Sequence, residues 1–164
     1  MSYINEFYED TAERFWDPEL GPVGRDIHTL PLINDNYSGN FLEYGFGSAS
    51  FLFQVARTKN FEKVTGVDIS NSVIKKAEEN KDRINKDYCK KLEFISPDES
   101  GEKIPAVESN SIDCIATLAT IEHVLNPYTV LDELHRVGKK DSTLICTVPN
   151  ITYIKHRLQL LFGI

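Results

Sequence analysis

The ten residues FLEYGFGSAS, positions 41–50, join an apolar strand-like run to a turn that contains two glycines. Gly45 and Gly47 permit positive φ angles and let a ligand approach the backbone closely. Glu43 stands two residues before the turn, where an ionised side chain taken out of water without a partner costs several kcal/mol. The stretch therefore predicts a strand, a ligand-binding loop and a helix, with Glu43 as a contact to the ligand. As an alternative, Glu43 caps local backbone N–H groups.

Strand-like and helical stretches alternate over most of the remaining chain. Strands are predicted in five short apolar runs, at 41–44, 63–70, 91–96, 111–120 and 142–150. Helices are predicted between them, at 48–59, 71–86 and 126–140. Ser70 or Asn71 is expected to cap the second helix, and Pro127 to lie in the first turn of the third. This alternation predicts a doubly wound α/β fold with a mostly parallel sheet.

Two amphipathic stretches flank the alternating region. Aromatic residues recur at helical spacing in 3–16, and we expect 1–34 to form a helical lid over a single domain at 35–164. Residues 151–164 predict a helix whose apolar face needs a cover. We expect either a longer natural chain, so that this sequence is truncated at the C-terminus, or a homodimer.

Composition limits the function classes. The 164 residues, 41% apolar and 26% charged, are typical of one globular domain with a substantial core. A net charge of -7 argues against non-specific binding to nucleic acid or to an anionic membrane, and no apolar run reaches membrane-spanning length. The three cysteines, Cys89, Cys114 and Cys146, form no CxxC pair, which favours reduced thiols and a cytoplasmic protein.

An acid at the end of the second strand indicates a nucleoside. Asp68 follows Gly47 by 21 residues, and an acid at about that distance can accept both ribose hydroxyl hydrogens. As an alternative, Asp68 caps the helix that follows. A dinucleotide site would require GxGxxG, but Ser50 replaces the last glycine and Glu43 would repel phosphates. S-adenosylmethionine fits better, because it carries a ribose, a sulfonium and an α-ammonium and no phosphate.

These residues resemble those of class I S-adenosylmethionine-dependent methyltransferases of the methyltransferase 11 type. Glu43, Gly45 and Gly47 match the acid-x-Gly-x-Gly motif of that family. Ala49 replaces a third glycine, a mild change if a methyl group is tolerated there. The resemblance extends over about residues 35–150 and implies a Rossmann-like fold that lacks its last two strands, which are antiparallel in the family.

Further site residues follow from the same resemblance. Asp68 matches the ribose-binding acid, and Ile69 follows it as a cofactor contact. Asp98 in FISPDES stands where family members often place an acid against the adenine amino group; a solvated loop acid is the alternative. Residues 109–137, with EHV and a later Glu-x-x-Arg stretch, are similar to the segment around the family's fourth strand.

His123 is the candidate catalytic residue. It lies just beyond the fourth strand, where the resemblance places the methyl acceptor, and an imidazole can take a proton near neutral pH. A histidine that packs over the cofactor or caps the next helix is the alternative. Some related enzymes bind a divalent metal through Glu-x-x-Glu-His, but Ala119 replaces the first ligand, so we expect no metal.

The predicted function is transfer of a methyl group from S-adenosylmethionine to a small-molecule acceptor. The sulfonium is already activated, so the protein needs mainly to position the two reactants. Two alternatives stay open. One is an NAD(P)-dependent oxidoreductase on the same architecture. The other is a non-catalytic domain that binds the cofactor or a partner protein.

Overall fold

The computed structural model describes residues 26–34, 36–150 and 161. Its elements, in chain order, are α1 (Asp26–Asn34), β1 (Gly39–Tyr44), α2 (Ser50–Arg57), β2 (Phe61–Val67), α3 (Asn71–Ile84), β3 (Leu92–Ile95), β4 (Ile112–Leu118), α4 (Pro127–Val137) and β5 (Gly138–Thr147). Short 3-10 helices at Asp87–Lys91 and Ile121–His123 precede β3 and follow β4. The helix predicted at 3–16 and, apart from Leu161, the helix predicted at 151–164 lie outside the described residues.

The five strands form one parallel sheet in the order β3-β2-β1-β4-β5. The prediction of a doubly wound α/β fold is confirmed. Since β1 pairs with β2 on one side and with β4 on the other, the chain reverses its direction across the sheet at β1. In open sheets of this kind a crevice forms at that point, outside the carboxyl ends of the strands.

Buried apolar side chains form two clusters, which alternate along the central strand. On β1, Phe41 belongs to the cluster that contains Leu52 of α2, whereas Leu42 and Tyr44 belong to the cluster that contains Leu134 of α4. Successive side chains of a strand point to opposite faces, so one cluster lies on each face of the sheet.

Local signals set the starts of two helices. Ser70 caps α3, because its Oγ accepts a hydrogen bond from the Val73 amide at 3.3 Å. Pro127 opens α4, and Asn126 before it accepts a hydrogen bond from the Thr129 amide at 3.4 Å. Both predicted starts are confirmed, with Ser70 rather than Asn71 as the cap.

The end of α4 differs from the prediction of a helix to residue 140. The strand begins at Gly138, directly after the helix, and its first residue pairs with Ile112. The carbonyl oxygens of Arg136 and Val137 accept hydrogen bonds, both 2.9 Å long, from the amides of residues 110 and 111. These bonds pair the last carbonyls of the helix with the segment before β4. The chain therefore enters the sheet directly after α4.

Two findings concern the expectations drawn from composition. Cys89 and Cys114 are buried, whereas Cys146 is exposed on β5. Along this part of β5 the side chains of Leu144 and Cys146 are exposed and those of Thr143, Ile145 and Thr147 are partly buried, which follows the alternation of a strand. None of the described helices is long and apolar enough to cross a bilayer.

Candidate functional site

The turn after β1 needs its two glycines for different reasons. Gly45 has φ +76°, and its amide donates a hydrogen bond to the Val67 carbonyl at 2.7 Å. A Cβ at Gly45 would collide with the side chain of Thr120, whose Oγ1 donates a hydrogen bond to the Gly45 carbonyl at 3.1 Å. Gly47 has φ +53°, with open space where a Cβ would lie. Gly45 therefore allows close packing, and Gly47 leaves room for a ligand.

Ala49 occupies a left-handed backbone position. Its φ is +57°, it precedes α2 as the N-cap, and its side chain is fully buried. That conformation costs a residue with a Cβ roughly 1–2 kcal/mol, whereas the glycine that the family resemblance implies here would have no such cost. The replacement thus introduces backbone strain at the start of α2.

Asp68 joins the glycine turn to the start of α3. Its Oδ2 accepts a hydrogen bond from the Gly47 amide at 2.9 Å, and its Oδ1 accepts one from the Ser70 amide at 3.0 Å. The structure therefore brings the predicted ribose acid and the predicted ligand loop together. The alternative in which Asp68 caps α3 is wrong, because Ser70 holds that position. A carboxylate has about four acceptor sites, so one carboxylate can accept structural bonds and ligand hydroxyls together.

Glu43 lies deeper than the rim position expected from the sequence. It is 1% exposed and sits in the central strand, in register with Gly66 on one side and Ala116 on the other. The alternation along β1 places it on the same face as Phe41. The backbone around Gly45 therefore separates the Glu43 carboxylate from a ligand at the turn. Glu43 would act on such a ligand across this short stretch.

Asp98 organises the loop that follows β3. Its Oδ1 accepts hydrogen bonds from the Ser100 hydroxyl at 2.7 Å and from the Glu102 and Lys103 amides at 3.2 Å each. The hydroxyl contact is the largest cause that holds the pKa of Asp98 below its usual range. This geometry matches the loop-acid alternative, and it keeps the carboxylate ionised beside the candidate site.

Ile69 contacts the same loop. Gly101 has φ +76°, and a Cβ there would meet the Ile69 side chain at 2.8 Å. The Asp68 amide also donates a hydrogen bond to the Ile95 carbonyl at 3.2 Å, at the point where β3 ends. The structure therefore places the predicted residues Asp68 and Ile69 beside the loop that carries Asp98.

Tyr44 is a site residue that the sequence did not reveal. Its hydroxyl donates a hydrogen bond to the Gly101 carbonyl, although the two residues are 57 positions apart. Burial is the main cause that raises the pKa of the Tyr44 phenol far above its usual value, and nearby carboxylates, Asp68 foremost, raise it further. The available signal was a polar aromatic side chain at the last position of β1.

His123 lies at the carboxyl end of β4, as predicted. Its side chain is 57% exposed, and its Nε2 lies 3.9 Å from Glu122 Oε1. The His123 amide donates a hydrogen bond to the Thr120 carbonyl at 2.9 Å, and Thr120 in turn contacts Gly45. The loop that carries the histidine is therefore joined to the glycine turn.

The Glu-x-x-Arg stretch forms a clamp. Glu133 is 3% exposed and binds the Arg136 guanidinium through both oxygens, at 2.7 and 2.9 Å. Its Oε1 also accepts a hydrogen bond from the Ile104 amide at 2.7 Å, and Arg136 donates to the Ile104 and Val107 carbonyls at 3.1 and 2.9 Å. This pair of residues fastens the end of the Asp98 loop to α4. Over the described ranges no group of three or more His, Cys, Asp or Glu side chains could hold a metal ion.

Residues 42–146 match the model of a family described as a methyltransferase domain. The chain belongs to this methyltransferase family. The resemblance to class I S-adenosylmethionine-dependent methyltransferases is thereby confirmed, and the oxidoreductase alternative loses its support. The matched span contains every predicted site residue, from Glu43 to His123.

Among known proteins, the methyltransferase domain is 26% identical over 156 residues to a ubiquinone biosynthesis O-methyltransferase of Glaesserella parasuis serovar 5 (strain SH0165). The match covers 90% of this chain and 64% of that relative. The chain therefore spans just under two thirds of the length of the curated relative it matches.

Two solved structures show the shared fold. One is an S-adenosylmethionine-dependent methyltransferase of Aquifex aeolicus, with TM-score 0.63 and 20% identity over 98% of this chain and 84% of that one. The other is phosphoethanolamine N-methyltransferase 2 of Haemonchus contortus in complex with S-adenosyl-L-methionine, with TM-score 0.67 and 16% identity over 98% of this chain and 40% of that one.

Proposed function

We propose that this methyltransferase domain binds S-adenosylmethionine at the carboxyl ends of β1 and β2 and transfers its methyl group to a small-molecule acceptor. The observation that carries the proposal is the hydrogen bond between the Gly47 amide and Asp68 Oδ2, 2.9 Å long. It joins a carboxylate that can accept ribose hydroxyls to a turn with open space above its second glycine. Family membership supports the same reading.

The chemistry of the side chains fits the cofactor. Asp68 would accept the ribose hydroxyls, and Ile69 would lie along the base. Asp98, whose pKa is low, would accept a hydrogen bond from the adenine amino group.

Glu43 would act on the α-ammonium from within the sheet. Its near-complete burial favours an indirect contact, through backbone or water, over a direct ion pair. A buried carboxylate acts over a longer range than an exposed one, because the surrounding dielectric is low. Its charge would therefore favour a cationic ligand at the turn and disfavour an anionic one.

When bound, S-adenosylmethionine supplies a methyl group on a sulfonium that is already a good leaving group. The protein then needs to hold the acceptor in line and, for a hydroxyl acceptor, to take its proton. We assign that task to His123, and the exposure of its side chain just beyond β4 supports the assignment. Leu125 and Tyr128, 83% and 79% exposed, provide apolar surface in the chain just after it.

The relative from Glaesserella parasuis suggests which acceptors to test first. That protein is an O-methyltransferase, so we propose a hydroxyl-bearing acceptor with an apolar body. The exposed Leu125 and Tyr128 support the apolar part of this description, and His123 supports the hydroxyl.

The deciding experiment measures S-adenosylhomocysteine released from S-adenosylmethionine with a panel of catechols, phenols and amines. We expect turnover with at least one phenolic acceptor and calorimetric binding of S-adenosylhomocysteine, without binding of NADH. Binding without turnover on any acceptor would favour the non-catalytic alternative. NADH binding without S-adenosylhomocysteine binding would reject the proposal.

His123→Gln tests the proton acceptor. If the imidazole takes the hydroxyl proton, kcat should fall by about a hundredfold or more, while S-adenosylhomocysteine affinity stays unchanged. His135→Gln is the matched control, because His135 is an exposed histidine near the other end of α4. Equal kcat in the two variants would remove His123 from the mechanism.

We also propose that the domain forms a homodimer, for which the apolar residues of the sequence 151–164 are the candidate contact. Leu144 and Val148, 42% and 58% exposed on and just after β5, add apolar surface that such an interface could cover. Sedimentation at several concentrations tests it, and a constant monomer mass up to high micromolar concentration would refute it.

A further inference from the structure

Tyr44 has two chemically distinct parts in the structure. Its ring belongs to the buried cluster on the α4 face of the sheet, with Leu42 and Val67. Its hydroxyl reaches beyond that cluster to the carbonyl oxygen of Gly101, in the loop between β3 and β4. The residue is 6% exposed, so this hydrogen bond is shielded from water.

The loop that receives this bond is internally closed. The Asp98 amide donates to the Lys103 carbonyl at 2.8 Å, and the Gly101 amide donates to the Asp98 carbonyl at 2.9 Å. The Asp98 carboxylate accepts three further bonds from within the loop. Because the loop is closed on itself, an anchor at Gly101 also sets the position of Asp98.

The contact at Gly101 differs from the rest of this loop in its burial. Most of residues 96–103 is partly or fully exposed, whereas Gly101 is buried against Ile69. The clamp made by Glu133 and Arg136 holds the chain only from Lys103 onward. Among the described residues, the hydrogen bond from the Tyr44 hydroxyl is the side-chain contact that ties the sheet to the loop between the end of β3 and that clamp.

We propose that Tyr44 is a positioning residue for the cofactor site, whose hydroxyl holds the Asp98 loop beside Asp68 so that base and ribose are bound at a set spacing. This inference rests on the proposed function, since it takes Asp68 and Asp98 as the two nucleoside contacts. It adds a residue that is not itself one of these two contacts and that reaches the loop through its hydrogen bond to Gly101.

The state of the phenol suits this task. Burial and the surrounding carboxylates keep Tyr44 protonated throughout the neutral range, so its hydroxyl remains a donor. A carbonyl oxygen can only accept, so the bond to Gly101 requires that proton. Phenylalanine would preserve the ring in the apolar cluster and remove the donor alone.

The test compares Tyr44→Phe with Tyr88→Phe. The Tyr88 hydroxyl is also buried, but it makes no hydrogen bond among the described residues, so its removal controls for the loss of a buried oxygen. We expect Tyr44→Phe to weaken S-adenosylhomocysteine binding by about three- to tenfold, the range for one hydrogen bond, and Tyr88→Phe to leave the Kd unchanged. Amide hydrogen exchange in 98–103 should accelerate in Tyr44→Phe only.

A double-mutant cycle with Asp98→Asn shows whether Tyr44 acts through the loop. If it does, Tyr44→Phe should add little to the loss already caused by Asp98→Asn, so the double variant should bind nearly as well as the Asp98 variant. Fully multiplicative losses would overturn the proposal, and so would an unchanged Kd in Tyr44→Phe, whatever its Tm. Absence of S-adenosylhomocysteine binding by the wild-type chain would instead reject the proposed function, and this inference with it.

Discussion

Single side chains in this domain combine a structural bond with a predicted ligand contact. Asp68 binds the amides of Gly47 and Ser70 and is also the predicted ribose acid. Asp98 closes its own loop and is also the predicted base contact. Hydrogen bonds hold these side chains in place before any ligand binds, which limits the entropy lost on binding.

Asp68→Ala should therefore weaken both the fold and the site. We expect S-adenosylhomocysteine affinity to fall by ~1.5–3 kcal/mol, the range for hydrogen bonds to a charged group, as measured by calorimetry. Asp113→Ala is the matched control. Asp113 also accepts a bond from a backbone amide, that of Asn40 at 2.8 Å, but at the opposite end of the sheet. Asp113→Ala should lower Tm without changing S-adenosylhomocysteine affinity. If Asp68→Ala also left that affinity unchanged, Asp68 would have no role in ribose binding.

Glu43→Gln isolates the charge of the buried carboxylate, because glutamine has nearly the same shape. If Glu43 acts on the α-ammonium, the variant should bind S-adenosylhomocysteine at least several-fold more weakly, yet bind 5′-methylthioadenosine, which lacks the ammonium, as the wild type does. Equal losses for the two ligands would mean that Glu43 supports the fold and not the ammonium. Calorimetry with both compounds decides.

Ala49→Gly addresses the left-handed position before α2. Relief of roughly 1–2 kcal/mol of backbone strain should offset the lost methyl burial and the greater entropy of the unfolded chain. Ala56→Gly, at a fully buried position inside α2, gains no such relief. We expect Ala49→Gly to be the more stable variant by about 1–2 kcal/mol in urea unfolding. Equal stability would show that Ala49 adopts its conformation without strain.

Elements in this domain are joined by polar contacts as well as by apolar packing. The clamp between Glu133 and Arg136 attaches α4 to the loop before β4, and Thr120 attaches the end of β4 to the glycine turn. Glu133 is buried whereas Arg136 is partly exposed, so loss of the arginine partner would leave a buried carboxylate without its opposite charge. We therefore expect the clamp to contribute to the acid sensitivity of the fold.

Glu133→Gln tests how the free energy of unfolding depends on pH. The bond to Arg136 is the largest cause that lowers the pKa of Glu133 in the folded state below the unfolded value of about 4.3. The contribution of this ion pair to the free energy of unfolding is thus complete above about pH 4.3. It is lost as the pH falls through the lower pKa that Glu133 has in the folded state. The free energy of unfolding should be lower in the variant at pH 7, and the gap should narrow below about pH 4. A gap that stays constant from pH 7 to 3 would contradict this.

At the scale of the whole molecule, ligand binding and folding are linked. A ligand that binds only the native state at about 100 times its Kd adds about 2.7 kcal/mol to the free energy of unfolding. For a domain of this size we expect S-adenosylhomocysteine to raise Tm by roughly 5–10 °C. NADH at the same concentration should not shift it, and Asp68→Ala should reduce the shift in proportion to its lost affinity. A wild-type chain without a shift would not support the cofactor site.

The sequence by itself determined the layout of the domain. Apolar runs and helical periods predict five strands and three intervening helices, and the chain order of βα units implies a parallel sheet. The glycine turn, Glu43 and Asp68 could also be identified, because their spacing is local to one strand-turn-helix unit and its neighbour. The start of α3 could be predicted to within one residue, because Ser70 and Asn71 are both good caps before a helical period.

The tertiary structure alone decided how these parts meet. Tyr44 and Gly101 are 57 residues apart, and Thr120 lies 75 positions after the glycine it packs against. No local period or propensity encodes such pairs, since they arise only when the parallel sheet brings the carboxyl ends of β1, β3 and β4 to the same side. The depth of Glu43 and the early start of β5 were decided in the same way, by strand register and by hydrogen bonds from distant backbone.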